Sequence, residues 1–152
     1  MHNMNDPHDL ERFVQAQRGD YHRALEEVQS GQKRTHWMWY IFPQLAGLGS
    51  SVMAQQYAIR SIAEAEAYLR HPILGPRLVQ IAQAVLDVRG RSAQQIFGSP
   101  DDLKLRSSAT LFSIAAAQAR LPQGRVFDRL MDVYFDGRPD AQTQRLLGMD
   151  RA

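Results

Sequence analysis

The 152-residue chain contains no cysteine. This absence excludes disulfides, thiolate catalysis and Cys-ligated metal sites, and it fits the reducing cytoplasm in which we expect the protein to act. The chain also lacks long apolar runs: none approaches the roughly 20 residues that a membrane-spanning helix requires. The N-terminal residues are polar and show no apolar signal-peptide region. We therefore expect neither membrane insertion nor secretion.

Lysine is nearly absent. The chain has sixteen arginines but only two lysines, Lys33 and Lys104. A genomic codon bias toward arginine is one explanation. The alternative is that these two lysines have roles that arginine cannot take, because a compact ammonium differs from a planar guanidinium in geometry and in the ease with which its pKa shifts. The net charge of +2 is too small to predict nucleic-acid binding by itself.

Acidic residues are missing from one long interval, between Glu27 and Glu64. This interval contains the Trp block, residues 35–50, which holds both tryptophans of the chain together with histidine, tyrosine, phenylalanine, glutamine and two glycines. An aromatic segment without carboxylates is what a pocket for an anion needs. The same composition is also typical of a dense local core, because large aromatic side chains bury much apolar area.

Helical periodicity extends along nearly the whole chain and predicts a single all-α domain. We place this domain at residues 9–148, with about seven to nine helices and frayed segments at 1–8 and 149–152. The best start signal is Ser99-Pro100, with serine as N-cap and proline as the first helical residue. It opens a helix near 100–119 whose middle is apolar nearly all round, which places this helix at the centre of the core.

Two further start signals concern the region before that helix. Thr35 is predicted to cap a short helix through the Trp block, which ends near Pro43. Ser61 and Glu64 have the spacing of a capping box at the start of a helix to Arg70. Strand signals are weak, because the aromatic run 37–42 has no partner of similar character elsewhere in the chain.

The Trp block carries a resemblance to a known family. The string Thr35-His-Trp-Met-Trp-Tyr-Ile-Phe-Pro-Gln-Leu-Ala-Gly-Leu-Gly49 is similar to a largely bacterial set catalogued as domain of unknown function 1810. Similarity continues through further strings and covers nearly the whole chain: 9–14, 57–59, 64–78, 96–98, 100–108, 110–112 and Asp140. The resemblance implies a mainly helical single domain and no known activity. Some members bear the label calpastatin, which we discount because the inhibitory segments of calpastatin are disordered.

Two stretches of sequence are candidate walls of a ligand site. The Trp block could stack a flat ligand on an aromatic ring, with a histidine and a glutamine as polar contacts. On the later helix, a lysine is followed by hydroxyls at helical spacing and could hold a phosphate or carboxylate. The predicted ligand-binding residues are His36, Trp37, Trp39, Gln44, Lys104, Ser107 and Thr110.

Each candidate also has a structural interpretation. At helical spacing Trp37 shares a face with Tyr40 while Trp39 points elsewhere, so not all the rings can line one pocket. The hydroxyls could donate back to carbonyls four residues earlier. Lys104 could pair with Asp101, three residues before it.

No metal or cofactor site is predicted. The five histidines lack the spacing of metal ligands, and no Gly-rich phosphate-binding loop precedes a helix. His71 is interpreted as a turn residue and Arg77 as an arginine paired with an acid or extending to solvent. The carboxylates Asp128, Asp132 and Asp136, at steps of four, are interpreted as a solvated face.

Three functions remain open at this point. The preferred hypothesis is a binder of, or enzyme acting on, a small anionic, nucleotide-like ligand in a pocket between the Trp block and the helix at 100–112. A non-catalytic protein-interaction or regulatory module, of unknown protein partner, is the alternative. Weak nucleic-acid binding ranks last, because the arginines are scattered rather than grouped.

Overall fold

The computed structural model describes residues 5–149, so the terminal segments 1–4 and 150–152, which we expected to fray, lie outside the described residues. Within 5–149 there are ten helices and no strand, which confirms the all-α prediction and exceeds the predicted seven to nine helices. The helices are α1 Glu11–Gln17, α2 Tyr21–Gln29, α3 Met38–Ile41, α4 Val52–Gln56, α5 Ile62–Arg70, α6 Leu74–Asp87, α7 Ala93–Phe97, α8 Asp101–Ala119, α9 Gly124–Tyr134 and α10 Ala141–Leu146.

Helix α8 lies at the centre of the fold, as its apolar middle predicts. It packs against α5, α7, α9 and α10. Leu111, Phe112 and Ala115 on this helix are completely buried. Burying a side chain of this kind contributes about 1.5–3 kcal/mol for the larger residues, so α8 supplies a large share of the packing energy and holds its neighbours in place.

The start of α8 differs from the prediction. Ser99 is not the N-cap; the helix begins at Asp101, Pro100 is the capping position, and no side chain caps it. The Asp102 amide, which a capping Ser99 would satisfy, donates to the Gly98 carbonyl at 2.9 Å instead. The next amide, that of Leu103, donates to the Pro100 carbonyl at 3.0 Å. The two acids of the first turn, Asp101 and Asp102, are present as expected.

The predicted helix through the Trp block is shorter than expected. It begins at Met38 and ends at Ile41, and Thr35 does not cap it. The Thr35 hydroxyl donates instead to the Glu27 carboxylate at 2.6 Å. At α5, Ser61 caps as predicted by accepting from the Glu64 amide at 3.1 Å. The Glu64 carboxylate does not return to Ser61 but pairs with Arg12.

The junction between α5 and α6 requires a glycine. A Cβ added at Gly75 would lie 2.1 Å from the Leu69 carbonyl oxygen, a backbone atom that cannot move aside cheaply. This close approach lets α6 fold back against α5, and α6 in turn packs on α2 and α9. No helix among residues 5–149 is both long enough and apolar enough to cross a bilayer.

Candidate functional site

A cavity of about 150 Å³, here called the inner cavity, lies where the Trp block meets α8. Trp39 and Gln44 line it from the block, Lys104 lines it from α8, and Tyr57 and Arg60 line it from the segment after α4. Met38 and Phe42 contribute apolar side chains to the remaining wall, which also includes Gln55. Two stretches that are distant in sequence therefore border one concave site.

A second cavity of about 470 Å³, here called the outer groove, adjoins the first. Both are lined by the same four residues, Gln44, Gly49, Ala54 and Lys104. The other polar residues of the outer groove are Ser50, Ser51, Ser107, Asp140 and Gln142. Lys104 is thus the charged side chain that lies at the junction of the two cavities.

The Lys104 ammonium is held from two directions. It lies 5.5 Å from the centroid of the Trp39 ring, within the range of a cation–π interaction. It also lies 3.4 Å from Oδ1 of Asp101, one turn earlier on α8. The Lys104 side chain keeps 28% of its surface exposed, so the charge is oriented without being sealed from a ligand.

Asp101 also binds the other lysine. Its Oδ2 lies 2.8 Å from Nζ of Lys33, whose side chain is only 7% exposed. The Lys33 ammonium lies 5.1 Å from the centroid of the Trp37 ring. Two ammonium groups and one carboxylate carry a net charge of +1, and the exposed part of that charge is on Lys104.

The segment that carries Tyr57 and Arg60 is fixed against the Trp block by a short backbone bridge. The Ile59 amide donates to the Gln44 carbonyl and the Ala46 amide donates to the Ile59 carbonyl, both at 2.8 Å. From the other side, the Arg12 guanidinium donates to the carbonyls of Gln56 at 2.9 Å and Ala58 at 2.7 Å. The wall of the inner cavity is therefore held in place by hydrogen bonds within the chain, from the backbone bridge and from the Arg12 side chain.

Trp37 lies in the core rather than at either cavity. Its neighbour there is an acidic residue from outside the Trp block, Glu27. The ring is completely buried, and its Nε1–H donates to Oε1 of Glu27 at 2.9 Å. The same carboxylate accepts from the amides of Arg34 and Thr35 and from the Thr35 hydroxyl. Burial raises the pKa of Glu27, but these hydrogen bonds outweigh burial and lower the pKa from 4.5 to about 2. An ionised carboxylate therefore satisfies the donors at the start of the block.

Four of the seven predicted residues line the two cavities: Trp39, Gln44, Lys104 and Ser107. His36 is exposed and lines neither cavity in the described chain. Thr110 is fully buried on the side of α8 that faces α10, where its hydroxyl donates to the Arg106 carbonyl and accepts from the Asp140 amide, each at 2.8 Å. Ser107 donates to the Leu103 carbonyl at 3.1 Å, the local bond that its spacing predicts.

Sequence reasoning did not identify Arg60, Gln142, Ser50 or Ser51 as site residues. Arg60 carried a signal, since it is the only cation between Arg34 and the next acid, Glu64. Gln142 carried none, because only the docking of α10 against α8 brings it to the groove.

Comparison with known proteins identifies the family but no activity. The model of a family described as protein of unknown function, DUF1810, matches residues 7–147. This chain belongs to the DUF1810 family. The fold of this DUF1810 protein is similar to the crystal structure of the conserved hypothetical protein Rv1873 from Mycobacterium tuberculosis, with a TM-score of 0.90 and 49% identity over 95% of this chain and 100% of that one. No curated protein matches the chain.

The chemistry of the inner cavity is that of a donor-rich site. Arg60 and Lys104 bring two cations to its lining, and no Asp or Glu is among the described residues that line it. The guanidinium of Arg60 and the side-chain amide of Gln44 form no hydrogen bond or ion pair with any residue in 5–149. These donors are free to bind an anion. Elsewhere in this range, no cluster of three or more His, Asp or Glu side chains is placed to hold a metal ion.

Proposed function

We propose that this DUF1810 protein binds a small anionic, nucleotide-like ligand in the inner cavity and the outer groove. One observation carries the proposal: the Lys104 ammonium lies beside the Trp39 ring at the junction of both cavities. The Trp block and α8 bring these two side chains together from distant parts of the sequence. A cytoplasmic location, proposed from the lack of cysteine, would provide phosphorylated metabolites as candidate ligands.

Electrostatics favour an anion over a neutral ligand at this site. Hydrogen bonds from an ammonium or guanidinium to an anionic oxygen are roughly twice as strong as neutral ones. Apolar side chains such as Met38 and Phe42 form part of the wall, and the lower local dielectric beside them strengthens these hydrogen bonds. Because Asp101 is already shared with Lys33, its carboxylate leaves a net positive charge facing the cavities.

A thermal-shift screen tests the proposal, with inorganic phosphate, nucleoside mono- and diphosphates and ADP-ribose as probes. A ligand at ten times its Kd stabilises the folded state by about 1.4 kcal/mol. For a chain of this length, that stabilisation raises Tm by about 3–6 °C. We expect a shift of this size for at least one anionic probe and none for the matched neutral nucleosides.

Two variants assign the shift to the site. Lys104→Met and Arg60→Gln remove one charge each at similar side-chain length, and each should abolish or strongly reduce the shift. Arg129→Ala is the control, because Arg129 is exposed on α9 and lines neither cavity. Stabilisation that persists in both Lys104→Met and Arg60→Gln would place any binding elsewhere and reject this site.

The alternative function, a non-catalytic protein-interaction module, has one supporting observation. Two large apolar side chains, Val52 and Leu103, are exposed by 79% and 54%. Leu103 itself lines the outer groove, and Val52 is adjacent in sequence to Ser51, which also lines it. A stoichiometric partner retained by Lys104→Met but lost in Val52→Ser or Leu103→Ser would favour this function over ligand binding.

A further inference from the structure

The size of the inner cavity restricts what it can hold. An apolar cavity of about 150 Å³ engineered in another protein accommodates a single benzene ring. The inner cavity has the same volume, about 150 Å³. It can therefore hold one phosphate-sized or ring-sized group, and the rest of a larger ligand must extend past Lys104 into the outer groove, which has about 470 Å³.

The charges of the two cavities differ. Arg60 and Lys104 line the inner cavity, and no carboxylate of the described chain does. The outer groove shares Lys104 but also contains the carboxylate of Asp140. Oδ2 of Asp140 accepts from the amide of Thr143 at 2.9 Å and from its hydroxyl at 2.6 Å, while Oδ1 makes no hydrogen bond within residues 5–149. An anionic group is favoured in the inner cavity and disfavoured beside Asp140.

The hydrogen-bonding groups of the outer groove suit hydroxyls. The Ser107 hydroxyl donates its hydrogen to the Leu103 carbonyl and so keeps lone pairs that can accept. Oδ1 of Asp140 is a second acceptor, and the exposed amide of Gln142 both donates and accepts. A body with several hydroxyls can use all three, because each hydroxyl is both a donor and an acceptor.

We infer that the ligand is a phosphomonoester of a polyhydroxylated compound, such as a sugar monophosphate. Its terminal phosphate binds between Arg60 and Lys104 in the inner cavity, and its hydroxylated body lies in the outer groove against Ser107, Asp140 and Gln142. This inference rests on the proposed function. It adds which part of the ligand occupies which cavity.

Calorimetric titration tests this assignment of the two parts to the two cavities. The three probes are inorganic phosphate, ribose 5-phosphate and free ribose. We expect ribose 5-phosphate to bind at least tenfold more tightly than inorganic phosphate, and free ribose to give no measurable binding. Lys104→Met should remove the binding of both phosphate probes.

Variants of the outer groove separate the two parts of the site. Gln142→Trp fills the groove, and Ser107→Ala removes one acceptor. Each should reduce the affinity for ribose 5-phosphate, Gln142→Trp to the level of inorganic phosphate, while the affinity for inorganic phosphate stays unchanged. Gln118→Trp, at an exposed glutamine near the other end of α8, is the control and should change neither.

The outcomes distinguish this inference from the function beneath it. If inorganic phosphate binds through Lys104 but ribose 5-phosphate gains nothing, the inference is wrong and anion binding stands. If Gln142→Trp weakens both phosphate probes equally, the assignment of phosphate to the inner cavity is wrong. If neither phosphate probe nor any other anion binds, both the inference and the proposed function are rejected.

Discussion

Lys33 and Lys104 contact the same carboxylate, at 2.8 Å and 3.4 Å from the two oxygens of Asp101. They are the only lysines of the chain, and each lies over one of its only two tryptophan rings. The Lys33–Trp37 pair is buried and the Lys104–Trp39 pair opens to the cavities. A planar guanidinium requires more room and different angles than an ammonium, which is a physical reason for lysine at both positions.

Replacing Asp101 should destabilise the fold more than replacing Lys104. Asp101→Ala leaves the Lys33 ammonium, 7% exposed, without its counter-charge, and we expect a loss of about 2–4 kcal/mol in the free energy of unfolding. Lys104→Ala removes a partly exposed partner and should cost about 0–1 kcal/mol. Urea denaturation of both variants measures the difference, and equal losses would contradict the central role of Asp101.

Glu27 should make stability depend on pH in the acid range. Its pKa is lowered from 4.5 to about 2 on folding, so its contribution is fully present above pH 4.5 and is lost as pH falls from 4.5 toward 2. The shift corresponds to at most about 3 kcal/mol.

Glu27→Gln isolates this effect. The amide can still accept at one oxygen and donate to Thr35, so the packing around Trp37 is retained while the titration is removed. The difference in unfolding free energy between wild type and Glu27→Gln should shrink as pH falls from 5 to 2.5. A difference that is constant over this range would show that the carboxylate does not contribute through its ionisation.

Arg12 should resist replacement by lysine. Its side chain is 10% exposed and donates to the Glu64 carboxylate and to four backbone carbonyls, one of which belongs to Ala58 in the inner-cavity wall. A lysine has three donors without the planar fork, so Arg12→Lys should cost about 2–4 kcal/mol. The control Arg70→Lys, in an exposed pair with Glu66, should change stability by less than about 0.5 kcal/mol. Both are measured by chemical denaturation.

The absence of a side chain at Gly49 should be required for α4 to pack beside the two cavities. A Cβ at this position would lie 2.6 Å from Cβ of Ala54, and both residues line both cavities. Gly49→Ala should therefore displace α4, cost about 1–3 kcal/mol and weaken binding of ribose 5-phosphate. Gly19→Ala, where nothing lies within 4 Å of the added atom, should be neutral or slightly stabilising. Calorimetry and chemical denaturation measure the binding affinity and the free energy of unfolding of both variants. Equal values for Gly49→Ala and Gly19→Ala would contradict the prediction.

Local signals in the sequence predicted much of the fold because they act within one or two helical turns. The apolar run in α8 identified the central helix, and Ser61 identified the start of α5. The predicted N-caps Thr35 and Ser99 were wrong because the local pattern does not include the contacts that compete with it. Each has the local pattern of an N-cap, but a contact outside that pattern prevailed: Glu27 takes the Thr35 hydroxyl, and backbone carbonyls take the first amides of α8.

The candidate site was predicted in part. Helical spacing separates Trp39 from Trp37 and Tyr40, and in the structure Trp37 and Tyr40 are buried while Trp39 borders the inner cavity. The spacing on α8 selected Ser107 and Thr110 together, yet the groove meets only Ser107. Residues one turn apart lie on similar faces, and the neighbour that packs against each determines which one is reached by solvent or ligand.

The sequence by itself determined that the chain is helical and that its core is built around one apolar helix. It also determined that no acid lies between Glu27 and Glu64, the interval that contains the Trp block. These are properties of composition and short-range periodicity, and they do not depend on contacts between residues that are distant in the sequence. Only the tertiary structure decided that Asp101 also binds Lys33, that the Glu27 carboxylate lies against the Trp block, and that Lys104 lies where two cavities meet. Such contacts join residues of different helices or segments, and their geometry follows from how these segments pack against one another.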